Sequence, residues 1–197
     1  MTDARPVAAF DFDGTITRRD TLVPFLATVV GWPRVGLAAT RHAPAFRDRD
    51  LAKERVLRDV LRGRAEDELS HHGDRYVERL RTELRPDVLE RIEFHRGAGH
   101  ELVIVSASLV YYLRPIAAEL GFDAVIGVEM DADPSGRLTG ELARPNVRAE
   151  QKAVRLREWF DDRPATELWA YGNSSGDEAL LAMADHPMWI GKRADRN

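Results

Sequence analysis

The chain has 197 residues, 44% of them hydrophobic and 31% charged, which suits one domain with an appendage or two small lobes around a real core. A formal net charge of -4 lacks the basic field that general nucleic-acid binding needs, so no nucleic-acid partner is expected. The absence of cysteine excludes disulfides, thiolate metal sites and a cysteine nucleophile.

The opening Met1-Thr2-Asp3-Ala4-Arg5-Pro6 has no charged-then-apolar signal pattern, and a cytoplasmic location is expected. Residues 7–12 predict a strand. Side chains two apart in an extended chain share a face, so Asp11 and Asp13 emerge together while Phe10 and Phe12 point the other way. Gly14 permits a turn and Thr15 adds a hydroxyl. Two carboxylates at the end of a buried strand repel each other and lose solvation. A cation between them relieves both costs, and hard oxygen ligands of this kind suit Mg²⁺. The plainer alternative is a strand ending in an acidic Asp-Gly turn.

From residue 17 to 84 the pattern is helical. Val56, Leu57, Val60 and Leu61 mark one apolar face, and Leu69, Tyr76, Val77 and Leu80 another. Residues 22–39 are largely apolar, but Pro24, Gly31, Pro33 and Arg34 interrupt them, whereas a spanning helix needs about twenty apolar residues in a row. Stable membrane insertion is therefore not expected. Buried helices broken at Gly31-Trp32-Pro33 are, with an apolar surface in peripheral contact with lipid as the alternative. The arginines of this segment (Arg41, Arg47, Arg49, Arg55, Arg58, Arg62, Arg64) read as a solvated face, or as a field that draws in an anionic substrate.

Arg85-Pro86-Asp87 opens a helix that stops at Gly97-Ala98-Gly99. Residues 102–105 form a continuous apolar run, expected of a strand covered on both faces, and lead into Ser106-Ala107-Ser108. A helix follows over 109–120, then a strand over 124–127. A turn at Asp133-Pro134-Ser135-Gly136 closes a small hairpin ending near Leu142. A helix over 151–160 carries Lys152 in its first turn. A strand over 168–171 runs into Gly172-Asn173-Ser174-Ser175-Gly176-Asp177, and a helix over 178–184 and a strand over 188–190 complete the chain. Such alternation predicts an α/β fold with a parallel sheet, which binds ligands beyond the carboxyl ends of its strands. Asp11, Asp13, Ser106, Asn173 and Asp177 all fall at such ends.

These four separated stations resemble, in order and spacing, the haloacid dehalogenase (HAD) superfamily of phosphatases, in the branch (subfamily IB) that contains phosphoserine phosphatase. Phe10 to Thr15 looks like its first motif, Val105 to Ser108 its second, Lys152 its third and Gly172 to Asp177 its fourth. The resemblance implies a Rossmann-like parallel core from residues 1–16 and 85–197, with a small α-helical cap at 17–84 that closes over the site. It implies hydrolysis of a phosphomonoester through an aspartyl-phosphate. Asp11 would be the nucleophile, Asp13 the acid that protonates the leaving alcohol and then the base that activates water, and Lys152 the cation joining nucleophile to phosphate. Ser106 and Ala107 would bind the phosphate. Mg²⁺ would be held by Asp11, the carbonyl of Asp13, Asn173 and, through its water shell, Asp177.

Two positions depart from the family. Its fourth motif usually begins Gly-Asp, and Asn173 removes one negative charge from the metal's surroundings. Asp20 stands where phosphoserine phosphatases carry a glutamate that contacts the substrate amine, and it also suits a helix N-cap. Arg55 falls roughly where the family places a carboxylate-binding arginine. The expected substrate is a small phosphorylated metabolite, phosphoserine-like in the broad sense. The alternatives are a phosphorylated lipid headgroup, or a phosphate-binding or phospho-acceptor module without turnover. The oligomeric state is left open.

Overall fold

The computed structural model describes residues 5–43, 49–161 and 163–191. Five strands form one sheet in the order β3-β2-β1-β6-β7, and every neighbouring pair is parallel. These are β1 (Pro6–Phe10), β2 (Glu101–Leu109), β3 (Ala124–Val128), β6 (Glu167–Gly172) and β7 (His186–Trp189). The core of the molecule sits on this sheet. The central strand β1 pairs on both sides, Ala9 with Val103 and with Ala170, and Val7 to Phe10 are fully buried. That explains their unbroken apolar run. The chain builds β2 and β3 to one side of β1 and then crosses to place β6 and β7 on the other. The strand order therefore reverses at β1, and the crevice beyond its carboxyl end is where a sheet of this kind receives a ligand.

The connections are helical: α5 (Pro86–Gly97) precedes β2, α6 (Val110–Leu120) precedes β3, α7 (Glu150–Phe160) precedes β6 and α8 (Glu178–Ala182) precedes β7. Between β3 and α7 lies the expected hairpin, β4 (Met130–Ala132) and β5 (Leu138–Leu142). Its turn is fixed by Asp133 Oδ1, which accepts from the N–H groups of Ser135 (2.8 Å) and Arg137 (3.0 Å).

Between β1 and α5 the chain forms a helical insert: α1 (Leu22–Val30), α2 (Trp32–Arg41), α3 (Arg49–Leu61) and α4 (Glu66–Glu83). Its entry and exit lie side by side. Thr17 and Leu84 form an antiparallel bridge, flanked by Arg18 N–H to the Glu83 carbonyl (2.8 Å) and Arg85 N–H to the Ile16 carbonyl (2.9 Å). Helix α4 packs closely on α6 because Gly73 has no side chain. A Cβ there would lie 1.9 Å from the Tyr111 carbonyl oxygen. The rings of Phe25, Tyr76 and Tyr112 interlock beside this crossing, with centroids 4.7–5.6 Å apart. The hairpin braces α3 from the other side, where Gly63 N–H donates to the Leu138 carbonyl at 2.8 Å.

Three elements differ from the sequence-based expectation. Strand β1 ends at Phe10, and Phe12 already belongs to a tight turn closed by Thr17 N–H on the Phe12 carbonyl (3.0 Å). Alternation therefore does not carry through it: Phe10 stacks on Tyr171 (4.3 Å), while Phe12 packs near Tyr112. Strand β2 does not stop at Val105 but runs through the serines to Leu109, with a register shift against β3 that re-aims the backbone there. The last strand begins two residues early, at His186. Helix α2 follows α1 at an angle of 119°, and among the described residues no single helix is long and apolar enough to cross a membrane.

Candidate active site

Asp11 leaves β1 with its N–H on the Tyr171 carbonyl (2.9 Å), which fixes its backbone to the neighbouring strand. Its carboxylate is held at both oxygens. Oδ1 accepts from Lys152 Nζ at 2.5 Å and Oδ2 from the Thr15 hydroxyl at 2.8 Å. Lys152 lies in the first turn of α7, and its ammonium also donates to Asp177 Oδ1 at 2.6 Å. All three side chains are buried. Burial pushes the Asp11 carboxyl up, an effect that Lys152 offsets only in part and Asp177 reinforces. For Asp177 burial raises the carboxyl, but the charge and hydrogen bond of Lys152 together with the hydrogen bonds from Ser174 outweigh it and hold the carboxyl below the usual range. For Lys152 the two carboxylates likewise outweigh burial and keep the ammonium charged.

Asp177 does not cap α8 with its side chain. It turns back, and its Oδ2 accepts from Asn173 N–H (3.1 Å), Ser174 N–H (2.9 Å) and the Ser174 hydroxyl (2.9 Å). Through Oδ1 this carboxylate holds Lys152, and through Oδ2 it holds the loop after β6. That loop carries Asn173 against the turn after Asp11. At Gly14, with φ at +83°, an added Cβ would lie 2.0 Å from the Asn173 amide, so only glycine fits there.

Asp13 is set differently. Its Oδ1 accepts from the N–H (2.8 Å) and hydroxyl (2.6 Å) of Thr21, and its Oδ2 from the Ser108 hydroxyl. The removal of water around the carboxylate, followed by the charge of Asp20, pushes its pKa up to about 7. Ser106 is buried and is not a helix cap, since α6 begins only at Val110. Its hydroxyl accepts from Ser108 N–H at 3.1 Å and thereby shapes the bulge that aims Ser108 at Asp13.

Asp11, Asp13, Asp20, Ser106, Ala107, Lys152, Asn173 and Asp177 line one cavity of about 620 Å³ between the sheet and the insert. Asp20 serves as cap and wall at once. It accepts from Leu22 N–H at 3.1 Å at the start of α1 and still faces the cavity. Arg55 is exposed and lies outside the lining. The cation of α3 in the cavity is instead Lys53, which sequence reasoning missed. Its ammonium donates to the Ala107 carbonyl and to Asn146 Oδ1 (2.7 Å), and Asn146 in turn donates to Asp50 Oδ1 at 2.6 Å. Burial lowers the Lys53 pKa to about 8, against the opposing pull of Asp13 and Asp50. Asp50 lines the cavity as well, and the remainder of the insert's wall is apolar, from Leu22, Val23, Leu26, Val35, Val56 and Leu57.

Among the described residues no three His, Cys, Asp or Glu side chains form a metal cluster by themselves. A divalent cation here would draw on mixed oxygen donors: the Asp11 carboxylate, the Asp13 carbonyl and the Asn173 amide, which the fit at Gly14 brings to one turn. The set is hard and oxygen-only, as Mg²⁺ prefers. The Asp13 carboxylate is turned to Thr21 and Ser108, and the set takes its backbone carbonyl instead.

A family model described as haloacid dehalogenase-like hydrolase matches residues 8–182. The chain is 36% identical over 187 residues to protein CicA of Caulobacter vibrioides, covering 91% of this chain and 83% of CicA. It is 22% identical over 204 residues to the histidinol-phosphatase of Neisseria meningitidis serogroup C, covering 96% and 91%. The fold matches substrate-bound phosphoserine phosphatase with a TM-score of 0.64 at 14% identity, over 92% of this chain and 84% of that one. The chain therefore belongs to the haloacid dehalogenase-like hydrolases, on a fold shared with phosphoserine phosphatase.

Proposed function

We propose that this protein is a Mg²⁺-dependent phosphomonoesterase that hydrolyses a small phosphorylated alcohol through an aspartyl-phosphate on Asp11. One observation carries the reading: two carboxylates facing one cavity are held in opposite settings. Asp11 is gripped by a cation and a hydroxyl. Asp13 is enclosed among neutral donors and stays protonated to near neutral pH. What differs between the two is the bonding partner, a buried ammonium for Asp11 and only neutral groups for Asp13, and that difference suits one carboxyl to attack and the other to proton transfer.

In the first step an Asp11 oxygen forms a bond to phosphorus as the bond to the ester oxygen breaks, and Asp13 gives that oxygen its proton. In the second, Asp13, now a carboxylate, takes a proton from water. The water oxygen bonds to phosphorus, and Asp11 leaves with both its oxygens. Lys152 holds Asp11 in place and offsets the charge of the incoming phosphate, and the Ser106 hydroxyl and the Ala107 N–H are the donors offered to the phosphoryl oxygens. Mg²⁺, when bound by Asp11, the Asp13 carbonyl and Asn173, supplies further positive charge against the repulsion between nucleophile and phosphate. For a phosphoserine-like substrate, Asp20 and Lys53 are the charged groups placed to meet an amine and a carboxylate.

The test is phosphate release from a panel of small phosphomonoesters, with Mg²⁺ or with a chelator. Turnover that needs Mg²⁺ and disappears in Asp11→Asn supports the proposal. Full turnover by Asp11→Asn would remove Asp11 as the nucleophile and the reading with it.

A further inference from the structure

The elbow between α1 and α2 exposes large apolar side chains where a folded surface would ordinarily hide them. Trp32 is 59% exposed and Leu37 60%. On α2 the buried face is Val35 and Ala38, so the opposite face, with Trp32, Pro33, Gly36 and Leu37 at helical spacing, points outward. Leu37 also borders a hollow of about 330 Å³ shared with Arg34, Arg41, Arg62 and Arg64, with Asp59 as the one acid among the described residues there. Arg41 is paired with Asp59 (3.0 Å) and Arg64 with Glu68 (2.5 Å). Arg34 and Arg62 have no ion-pair partner among the described residues.

We propose that this elbow docks on an anionic phospholipid surface, with Trp32 and Leu37 entering the interfacial layer and Arg34 and Arg62 meeting the lipid phosphates. Apolar side chains beside unpaired arginines are the combination such a surface selects. Apolar area alone would serve a second copy equally well, but a second copy brings the same positive hollow and no counter-charge. The two helices are short and sharply bent, so they lie on the bilayer instead of crossing it. Helix α2, whose outer face carries Trp32 and Leu37, walls the active-site cavity with Val35 and Ala39. Docking therefore sets this wall of the cavity against the lipid surface. The consequence that a lipid-borne phosphomonoester enters the cavity rests on the phosphatase reading; the docking itself does not.

The test is flotation of the full chain with vesicles of mixed phosphatidylglycerol and phosphatidylcholine, against phosphatidylcholine alone. The wild type is expected to partition about tenfold more strongly onto the anionic vesicles, and less at high salt. Trp32→Gln/Leu37→Gln and Arg34→Glu/Arg62→Glu should each lower that partition about tenfold. Trp32 and Leu37 do not line the cavity, so hydrolysis of a soluble ester by the first variant shows that it is folded. Equal flotation of wild type and variants, or no flotation, overturns the proposal. So does a dimer in light scattering that the Trp32→Gln/Leu37→Gln change dissociates. If the wild type hydrolyses no soluble ester, circular dichroism replaces the folding control. The phosphatase reading is then in doubt while the vesicle result still decides the docking.

Discussion

Thr21, at the start of the helical insert, holds one oxygen of Asp13 with both its N–H (2.8 Å) and its hydroxyl (2.6 Å). The proposed acid/base of the core is thus positioned by the residue that immediately precedes the insert's first helix. Each of these bonds favours the charged form, so losing one raises the Asp13 pKa from its value of about 7. Thr21→Val removes the hydroxyl and leaves the N–H. The alkaline fall of kcat/KM, which follows loss of the Asp13 proton, should move up by about 0.5–1 pH unit. A pH profile on an alkyl phosphate checks this. An unmoved limb would mean that a group other than Asp13 sets it.

Asp13→Asn separates the two half-reactions. Alkyl phosphates need a proton on the leaving oxygen, so their turnover should drop by roughly 10²–10⁴-fold. An aryl phosphate with a good leaving group needs no acid, yet the second step still lacks its base. Stopped-flow should therefore show a burst of the phenol, close to one equivalent per enzyme, followed by slow turnover. A linear time course without a burst would put the lost function elsewhere.

The core of this site was legible because its residues sit at strand ends, and a strand end can be located from an apolar run. Asp11, Asp13, Ser106, Asn173 and Asp177 are legible in that way, whereas Lys152, in the first turn of a helix, is legible only through its place in the family series. Residues supplied by the insert are not. Lys53 and Arg55 are two positions apart on α3 and lie on nearly opposite sides of the helix, so the phase of α3 against the core decides which one enters the cavity. No local pattern reveals that phase. Ser108 belongs to the second motif but carries no role in the sequence, because a polar pair after an apolar run reads as the end of a strand. Here β2 continues through it, and its buried hydroxyl is satisfied by Asp13.

Lys152→Met leaves two buried carboxylates without their cation. Removing one partner from a buried ionic cluster typically costs about 3–5 kcal/mol, and urea unfolding at neutral pH should show a loss of that order. The Asp177 pKa is held below its unfolded value of 3.8. Its contribution is present above that pH and is lost as pH falls through the folded value. The gap between Lys152→Met and wild type should consequently narrow in acid. A constant gap from neutral pH into acid would show that the cost is packing and not charge.

Asn173 lies against Gly14 and is uncharged. Asn173→Asp keeps the shape and adds a negative charge to the oxygen set proposed for Mg²⁺. The Mg²⁺ concentration for half-maximal activity should fall by roughly an order of magnitude, as ligand charge tunes divalent affinity. Calorimetric titration with Mg²⁺ reads the same change without turnover. If Asn173→Asp leaves both measurements where they were, Asn173 is not a ligand and its place is only to pack the turn.

The setting of Asp13 also has a cost in stability with a definite sign. Its pKa is about 7 in the folded protein against 3.8 in the unfolded chain. Below the lower value both states are protonated and the difference vanishes. Between about 4 and 7 the unfolded chain loses its proton while the folded protein keeps it, so stability falls as pH rises; above 7 the full penalty applies. Three pKa units correspond to about 4 kcal/mol, and the solvent still reaching the edge of Asp13 reduces this to the order of 2–3 kcal/mol. Asp13→Asn carries no such charge. Measured in the presence of a chelator, its unfolding midpoint should therefore exceed that of the wild type at pH 8 and approach it near pH 4. The opposite ordering at pH 8 would show that the carboxylate is stabilised where it sits, and Asp13 would then be too acidic to protonate a leaving group at neutral pH.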